Sequence, residues 1–297
     1  MSKVKIKWDQ KAEPKFVEQL SNIKTTLVAA PTQQEVESYI PEFVHATWED
    51  TPKTSYSQEE TEETMKDLFN GKLLPTALET IRLTFRVEGL DLIDVTHLIR
   101  HRVFGFSAQC SADRDMRTDT VMVKPSILNS MEFIERYRKL HEDAFELYAD
   151  MVDSKDISIL DARTVLPRST SSFYYMSGSL KDFIGFIKTR KDRQIQPESD
   201  NIVALRMWHE IVKQYPMLKG HIDINGYDAY YCETLVAGTS SNTYLPNDKN
   251  IEYLNIRHPK FEYTDEEYLY NRRRHEMSGG RVYRRIEKEI RDGINCI

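Results

Sequence analysis

Apolar and polar residues alternate along residues 81–87, a pattern typical of a β-strand that buries one face. The apolar positions are Ile81, Leu83, Phe85 and Val87. The apolar spacing then becomes helical over residues 91–102. The chain therefore places a half-buried strand directly before a helix.

The same two periodicities, together with capping signals, predict the other elements. Ser57 with Glu60 resembles a capping box at the start of a helix that carries Met65 and Leu68. Apolar residues recur at steps of four and three from residue 133 to residue 151, which predicts an amphipathic helix. The remaining predicted strands are 25–30, 121–123 and 173–176; the remaining predicted helices are 32–44, 180–187, 204–215 and 281–292, with 161–167 a loop or short helix.

Composition excludes several classes of protein. The formal charge of −6 over 297 residues argues against a general nucleic-acid binder. The three cysteines, Cys110, Cys232 and Cys296, have neither metal-binding spacing nor a disulfide pattern. We therefore expect no metal site and a cytoplasmic location. The polar first residues do not resemble a signal peptide, and no apolar run approaches membrane-spanning length.

Arg100, His101 and Arg102 follow an apolar run that looks buried. Guanidinium groups match phosphates and carboxylates, so the triplet suggests a bulky anionic ligand held partly inside the protein. A helix end with solvated charges is an equally good interpretation, because a helix C-terminus favours cations.

Other candidate residues have ordinary structural interpretations on local grounds. Arg163 could grip a phosphate or tie two loops together, and Arg190 looks like a solvated helix end. Thr76 and Glu79 suggest a capping turn. Cys110 and the following serine could be nucleophiles, but no positioned base can be identified, which favours small residues packed near a ligand. The arginine-rich segment 272–285 is interleaved with glutamates, so we expect an ion-paired helix or a subunit contact rather than a nucleic-acid interface.

Taken in order, these segments resemble the flavin-dependent thymidylate synthases. The family signature begins with Arg-His-Arg, which residues 100–102 match, and continues to a serine and an arginine. Residues 75–87 resemble the family's Thr-Pro-x-Glu-His turn and the strand after it, and residues 123–126 its Pro-Ser turn. Ala162–Pro167 is similar to Ala-Arg-x-x-Leu-Pro, and the family spacing then continues to Arg190. The resemblance covers residues 23–218.

The resemblance implies an α/β (α+β) fold with a central, mostly antiparallel sheet flanked by helices, assembled as a homotetramer with FAD between subunits. It implies C5 methylation of a pyrimidine nucleotide, first of all dUMP to dTMP. Methylenetetrahydrofolate supplies the carbon, and NADPH supplies hydride through the flavin. It divides the chain into a polar N-terminal arm (1–22), the family domain (23–218) and a C-terminal extension (219–297).

The resemblance also assigns roles to individual residues. Arg163 and Arg190 would be the catalytic arginines, one on the nucleotide phosphate and one on the pyrimidine carbonyls. The remaining positions of the nucleotide loop are Gln109, Ser111 and Arg114. The cofactor positions are Arg100, His101, Arg102, Thr76, Glu79, Ser179, Lys181 and Gln194.

Several positions depart from the family. Cys110 stands where the signature serine is expected, and Ser111 fits only with one inserted residue. Ser179, Lys181, Gly185 and Gln194 stand where the family typically has Asn, Arg, Asn and His around the flavin and substrate. The altered loop leaves two alternatives open: another pyrimidine nucleotide (dCMP or UMP), or transfer of a hydroxymethyl group. The substituted flavin positions leave a third: a degenerate protein that only binds nucleotide or assists assembly.

Overall fold

A computed structural model describes residues 4–190 and 198–219. Its strands, in chain order, are β1 (Lys15–Glu18), β2 (Lys24–Ala29), β3 (Arg82–Asp91), β4 (Gly105–Ala108), β5 (Thr120–Val123) and β6 (Ser171–Ser179). Its α-helices are α1 (Gln33–His45), α2 (Gln58–Phe69), α3 (Ala77–Thr80), α4 (Leu92–Leu98), α5 (Pro125–Leu128), α6 (Ile134–Asp153), α7 (Ile159–Ala162), α8 (Leu180–Arg190) and α9 (Glu198–Gln214). The helix predicted at 281–292 and the arginine-rich segment lie outside the described residues.

A four-stranded antiparallel sheet forms the centre, in the order β2-β3-β6-β4. Phe85 of β3 pairs with Met176 of β6, and both side chains are fully buried. The alternation seen in the sequence is the burial pattern of β3, because its apolar residues face the helices while the intervening residues do not. The mostly antiparallel sheet flanked by helices is therefore confirmed.

Local capping signals set the starts of α1 and α2, which lie between β2 and β3 in the chain. The capping box predicted at Ser57 is present: its hydroxyl accepts from the Glu60 backbone N–H, and the Glu60 carboxylate accepts from the Ser57 N–H. Thr32 and Glu35 form the same arrangement before α1. Such a cap is worth about 1 kcal/mol, so these helix starts are specified locally.

The helix α8 begins where β6 ends, which fixes the position of its last residue. Ser179 caps α8, because its hydroxyl donates to Asp182 Oδ2 at 2.6 Å and accepts from the Asp182 N–H at 3.1 Å. Phe183 packs on Phe85 of the sheet with ring centroids 5.0 Å apart. The sheet and this helix thereby carry Arg190 toward the end of α4.

Two strands were not predicted from the sequence. The first, β1, lies in the segment expected to be a loose polar arm, and it pairs in parallel with β5. The second, β4, pairs with β6 directly after the Arg-His-Arg triplet. The helical spacing over 91–102 places the triplet at a helix end or just past it; the helix ends at Leu98, so the triplet lies just past it. Within the described residues, no helix has the length and apolar character needed to span a bilayer.

Candidate functional site

The Arg-His-Arg triplet lies in the turn between α4 and β4. Arg100 and Arg102 are exposed, and Arg100 Nε donates to Thr96 O at 3.3 Å. Both arginines therefore lie at the surface of the single chain, as the interpretation of solvated charges near a helix end expects, and only His101 is half-buried. Within residues 4–190 and 198–219, neither arginine forms an ion pair. Two cationic groups thus remain available to an anion.

Aromatic side chains of α8 pack against the turn that carries the triplet. The His101 ring packs edge-on against Phe186 of α8, with centroids 4.8 Å apart, and Phe104 packs at 4.8 Å from Phe183. Gly178 of β6 lies against the Phe104 ring. These contacts fix the turn on the sheet, because Phe104 is held between β6 and α8 while His101 packs on α8.

His101 accepts a hydrogen bond from Arg190. The donor is Arg190 Nε and the acceptor is His101 Nε2, 2.8 Å apart, so the imidazole proton lies on Nδ1. Burial, then the positive charge of Arg190 and the nearby His97, lowers the pKa of His101 to about 4. The ring is therefore neutral at pH 7, and the triplet carries its positive charge on the two arginines.

The solvated helix end expected for Arg190 is wrong, because the residue is only 6% exposed. Its Nη1 donates to Asp200 Oδ2 of α9 at 2.8 Å, and the same oxygen lies 2.8 Å from His97 Nδ1. Burial raises the pKa of Asp200 to about 6, although His97 and Arg190 each lower it. Sequence reasoning missed His97 and Asp200; the one signal for His97 was its place four residues before His101, within the segment of helical spacing.

The predicted cofactor residues outside the triplet differ in their surroundings. Lys181 and Glu79 form a salt bridge between the start of α8 and α3, and both side chains are partly exposed. Ser179 is buried, and its hydroxyl is engaged in capping α8. Thr76 is exposed at the N-cap position of α3, but its hydroxyl makes no capping hydrogen bond, which contradicts the capping turn favoured locally. Gln194 lies outside the described residues.

The structure brings Arg163 to the predicted nucleotide loop. Its Nη1 donates to Ser111 Oγ at 3.2 Å and lies 3.8 Å from Cys110 Sγ, across 52 positions of sequence. Its Nε donates to Leu160 O at 3.1 Å, which orients the guanidinium. Arg163 forms no ion pair with any described residue. This cation is therefore held in place without being neutralised.

Arg114 differs from Arg163 because a carboxylate already neutralises it. Arg114 Nη2 donates to Asp119 in a short ion pair and to Gln109 Oε1 at 3.2 Å. The Gln109 backbone N–H in turn donates to Phe173 O of β6 at 3.0 Å. Of the three predicted loop residues, Gln109 and Arg114 therefore tie the loop to the sheet, whereas the Ser111 hydroxyl contacts Arg163.

The described residues also contain a groove of about 1010 Å³ away from these arginines. It lies between α1, α2 and residues 216–219, with Glu37, Tyr56 and Met65 among its lining. None of the predicted site residues lines it. Its position beside helices rather than at the sheet end separates it from the cluster around the triplet.

Comparison with known proteins identifies the family. The model of the family described as thymidylate synthase complementing protein (Thy1) matches residues 23–217, more than half of the chain. Flavin-dependent thymidylate synthase from Pyrococcus furiosus is 25% identical over 141 residues, which cover 46% of this chain and 57% of that protein. The enzyme of the same name from Sulfurisphaera tokodaii is 28% identical over 155 residues, 50% of this chain and 58% of its own length. The matches thus span little more than half of these relatives.

Among solved structures, the fold is similar to that of a UMP/dUMP methylase, PolB, from Streptomyces cacaoi bound with 5-Br dUMP. The TM-score is 0.56 at 20% identity, over 73% of this chain and 97% of that one. At this identity the likeness concerns the fold alone. With the matching family model and the antiparallel sheet described above, the resemblance drawn from the sequence is confirmed: this chain belongs to the flavin-dependent thymidylate synthase (Thy1) family.

Proposed function

We propose that this chain is a flavin-dependent enzyme that methylates C5 of a pyrimidine nucleotide. FAD would be its cofactor, methylenetetrahydrofolate its carbon donor and NADPH its reductant, with dUMP the first substrate to test. Family membership supports the reaction class, and a structural neighbour is described as a UMP/dUMP methylase. UMP is therefore the second substrate to test.

The observation that carries the proposal is the contact between Arg163 and Ser111. These residues belong to two separate motifs of the family resemblance, and the fold places their side chains 3.2 Å apart. A guanidinium that is oriented but not neutralised suits a nucleotide phosphate, because it can donate two parallel hydrogen bonds. Arg114 suits this role less well, since Asp119 already compensates its charge.

The residues around the triplet fit a flavin dinucleotide. Arg100 and Arg102 are exposed guanidiniums without an ion-pair partner among the described residues, and a pyrophosphate supplies the matching negative charge. Gly105, just after the triplet, pairs with Ser177 near the end of β6. Lys181 follows Ser177 by four residues, so it lies near the same end of β6 as the triplet. Bound there, FAD would supply the hydride chemistry that side chains cannot provide.

The protein's own residues would bind and orient the nucleotide. Arg163 would hold the phosphate, and Arg190 would donate to the pyrimidine carbonyls and stabilise negative charge developing on the ring. Neutral His101 keeps the Arg190 Nε–H directed, because it accepts that hydrogen bond. Neither Cys110 nor Ser111 contacts an imidazole or a carboxylate within the described residues, so no activated nucleophile is assigned.

Exposed apolar residues around the triplet support the proposal that FAD binds between subunits. Ile93, Ile99 and Val103 are exposed, and Val103 as a whole residue is 61% exposed in the single chain. Apolar groups beside a charged site are typical of surfaces covered by another subunit. Light scattering of the FAD-loaded protein should give the mass of a homotetramer, whereas a monomer would contradict this part of the proposal.

The test begins with colour and turnover. The purified protein, loaded with FAD, should be yellow and should convert dUMP, UMP or dCMP in the presence of methylenetetrahydrofolate and NADPH. The product mass separates methyl from hydroxymethyl transfer.

Arg163→Ala should weaken nucleotide binding by roughly 10- to 100-fold, while Arg168→Ala, which changes an exposed arginine five residues later, should not. A protein that takes up neither FAD nor nucleotide would overturn the proposal, and one that binds both without turnover would favour the degenerate binding protein.

A further inference from the structure

The helix α9 holds Arg190 at two points. Asn201 Nδ2 donates to the Arg190 backbone carbonyl at 2.7 Å, and Asp200 Oδ2 accepts from Arg190 Nη1 at 2.8 Å. The exposed fractions of the two paired side chains are 8% for Arg190 and zero for Asp200. The two adjacent residues of α9 thus fix both the start and the tip of one side chain.

The histidines on either side of the guanidinium restrict it further. His101 accepts from Nε, and Nη1 lies 3.2 Å from both ring nitrogens of His97. His97 and Arg190 share Asp200 Oδ2, whereas Asp200 Oδ1 makes no hydrogen bond within the described residues. A single carboxylate oxygen therefore locates both groups relative to each other.

A guanidinium fixed in this way loses little conformational entropy when a ligand binds. A free arginine side chain samples many rotamers, and ordering it opposes binding. A carboxylate behind the guanidinium keeps the charge in place and leaves its orientation defined before the ligand arrives. The role of Asp200 would then be exerted on the ligand entirely through Arg190.

We propose that Asp200 is a positioning residue for nucleotide binding, acting through Arg190 and assisted by His97. This inference rests on the proposed function, because it takes the ligand of Arg190 to be a pyrimidine nucleotide. Asp200 is fully buried, so in this proposal it would not itself touch the substrate. Its effect on binding must therefore vanish when Arg190 is replaced.

A double-mutant cycle tests this dependence, with dUMP and UMP binding to the FAD-loaded protein measured by calorimetry. Asp200→Asn should raise the Kd by roughly tenfold in the otherwise native protein, a change of about 1.4 kcal/mol. In the Arg190→Gln background the same change should alter the Kd less than about twofold. Asp200→Glu, which keeps the carboxylate, should recover part of the loss.

A matched control and a second variant keep the test decisive. Asp153→Asn removes a carboxylate from the buried Arg117, whose hydrogen bonds go to Gln10, Asp115 and Asp153, and should leave nucleotide affinity unchanged. If Asp200→Asn does not fold, His97→Gln changes a half-exposed side chain bound to the same oxygen. It should weaken binding by roughly threefold in the native protein and not at all with Arg190→Gln.

The outcomes separate this inference from the function on which it rests. If the native protein binds neither dUMP nor UMP, the proposed function fails and this inference fails with it. If the native protein binds nucleotide but the effects of Asp200→Asn and Arg190→Gln on the Kd are additive, the positioning role alone is overturned. Independence of the two effects would mean that Asp200 serves the fold rather than the guanidinium.

Discussion

Gly178 lies against the ring of Phe104 so closely that a Cβ at this position would come 2.3 Å from Phe104 Cδ1. The ring cannot move away easily, because it packs on Phe183 and Phe186 and is largely buried. The glycine thus permits the turn that carries Arg100–Arg102 to sit on β6. The position of the triplet depends on the absence of one methyl group.

Replacing this glycine should damage both stability and the turn. Gly178→Ala should lower the free energy of unfolding by about 1–3 kcal/mol, because overpacking displaces the ring. It should also lower the FAD content of the purified protein. Gly185→Ala is the matched control: a Cβ there meets nothing within 4 Å, and alanine in α8 should raise stability by up to about 1 kcal/mol. Equal effects of the two substitutions in chemical denaturation would contradict this account.

The pH dependence of stability should carry opposite contributions from two neighbouring groups. Folding lowers the pKa of His101 from its ordinary 6.5 to about 4, so the unfolded chain binds the proton more readily and stability falls as pH drops through this range. Folding raises the pKa of Asp200 from 3.8 to about 6, so the folded chain binds that proton more readily and stability rises as pH drops through that range.

Variants should separate these two contributions. Between about pH 6.5 and pH 4, the range between the ordinary and the folded pKa values of both groups, His101→Gln should make the acid loss of Tm shallower and Asp200→Asn should make it steeper. Thermal unfolding followed by circular dichroism at several pH values measures both slopes. Identical slopes for the native protein and both variants would show that neither group changes its pKa on folding.

Helices were predictable from the sequence where their signals are local. The capping boxes at Thr32 and Ser57 and the apolar stripe of α6 each lie within one helix, so sequence spacing alone specifies them. The strands β1 and β4 were missed, because each short strand is stabilised by a partner far along the chain. Their four residues carry no alternation long enough to recognise.

The candidate site likewise contains residues that the sequence predicted and residues that only the packing of distant elements brings into it. The ordered motifs predicted that Arg163 and Ser111 belong to one site, and the fold places them in contact. Asp200 could not be predicted, because an aspartate near the start of an amphipathic helix ordinarily faces solvent. Only the packing of α4, α8 and α9 buries it against Arg190.

The N-terminal segment should prove to be an integral part of the fold. Arg117 is fully buried and donates to Gln10 O at 2.8 Å, to Asp115 Oδ1 at 3.1 Å and to both oxygens of Asp153 at 3.0 Å. Arg117→Ala should lower the free energy of unfolding by about 3–5 kcal/mol, because Asp115 would stay buried without its counter-charge.

An exposed ion pair provides the control for this prediction. Arg138→Ala removes an arginine whose partner, Glu135, is largely exposed, and should change stability by less than about 1 kcal/mol. Urea denaturation of both variants measures the difference, and limited proteolysis should cut the first 20 residues sooner in Arg117→Ala. Two equally small losses would mean that residues 4–18 contribute little to the fold.

Ser111, rather than Cys110, should serve as the hydroxyl of the nucleotide loop. The Ser111 oxygen accepts from Arg163 at 3.2 Å, whereas the Cys110 sulfur lies at 3.8 Å and is a weak acceptor. Ser111→Ala should therefore raise the KM for nucleotide by roughly two- to tenfold, the value of one net hydrogen bond, with little change in kcat. Cys110→Ala, the neighbouring control, should leave KM within about twofold of the native value. A larger increase in KM for Cys110→Ala than for Ser111→Ala would contradict this assignment, because the cysteine would then occupy the position of the signature serine. The loop would in that case need no inserted residue to match the family signature.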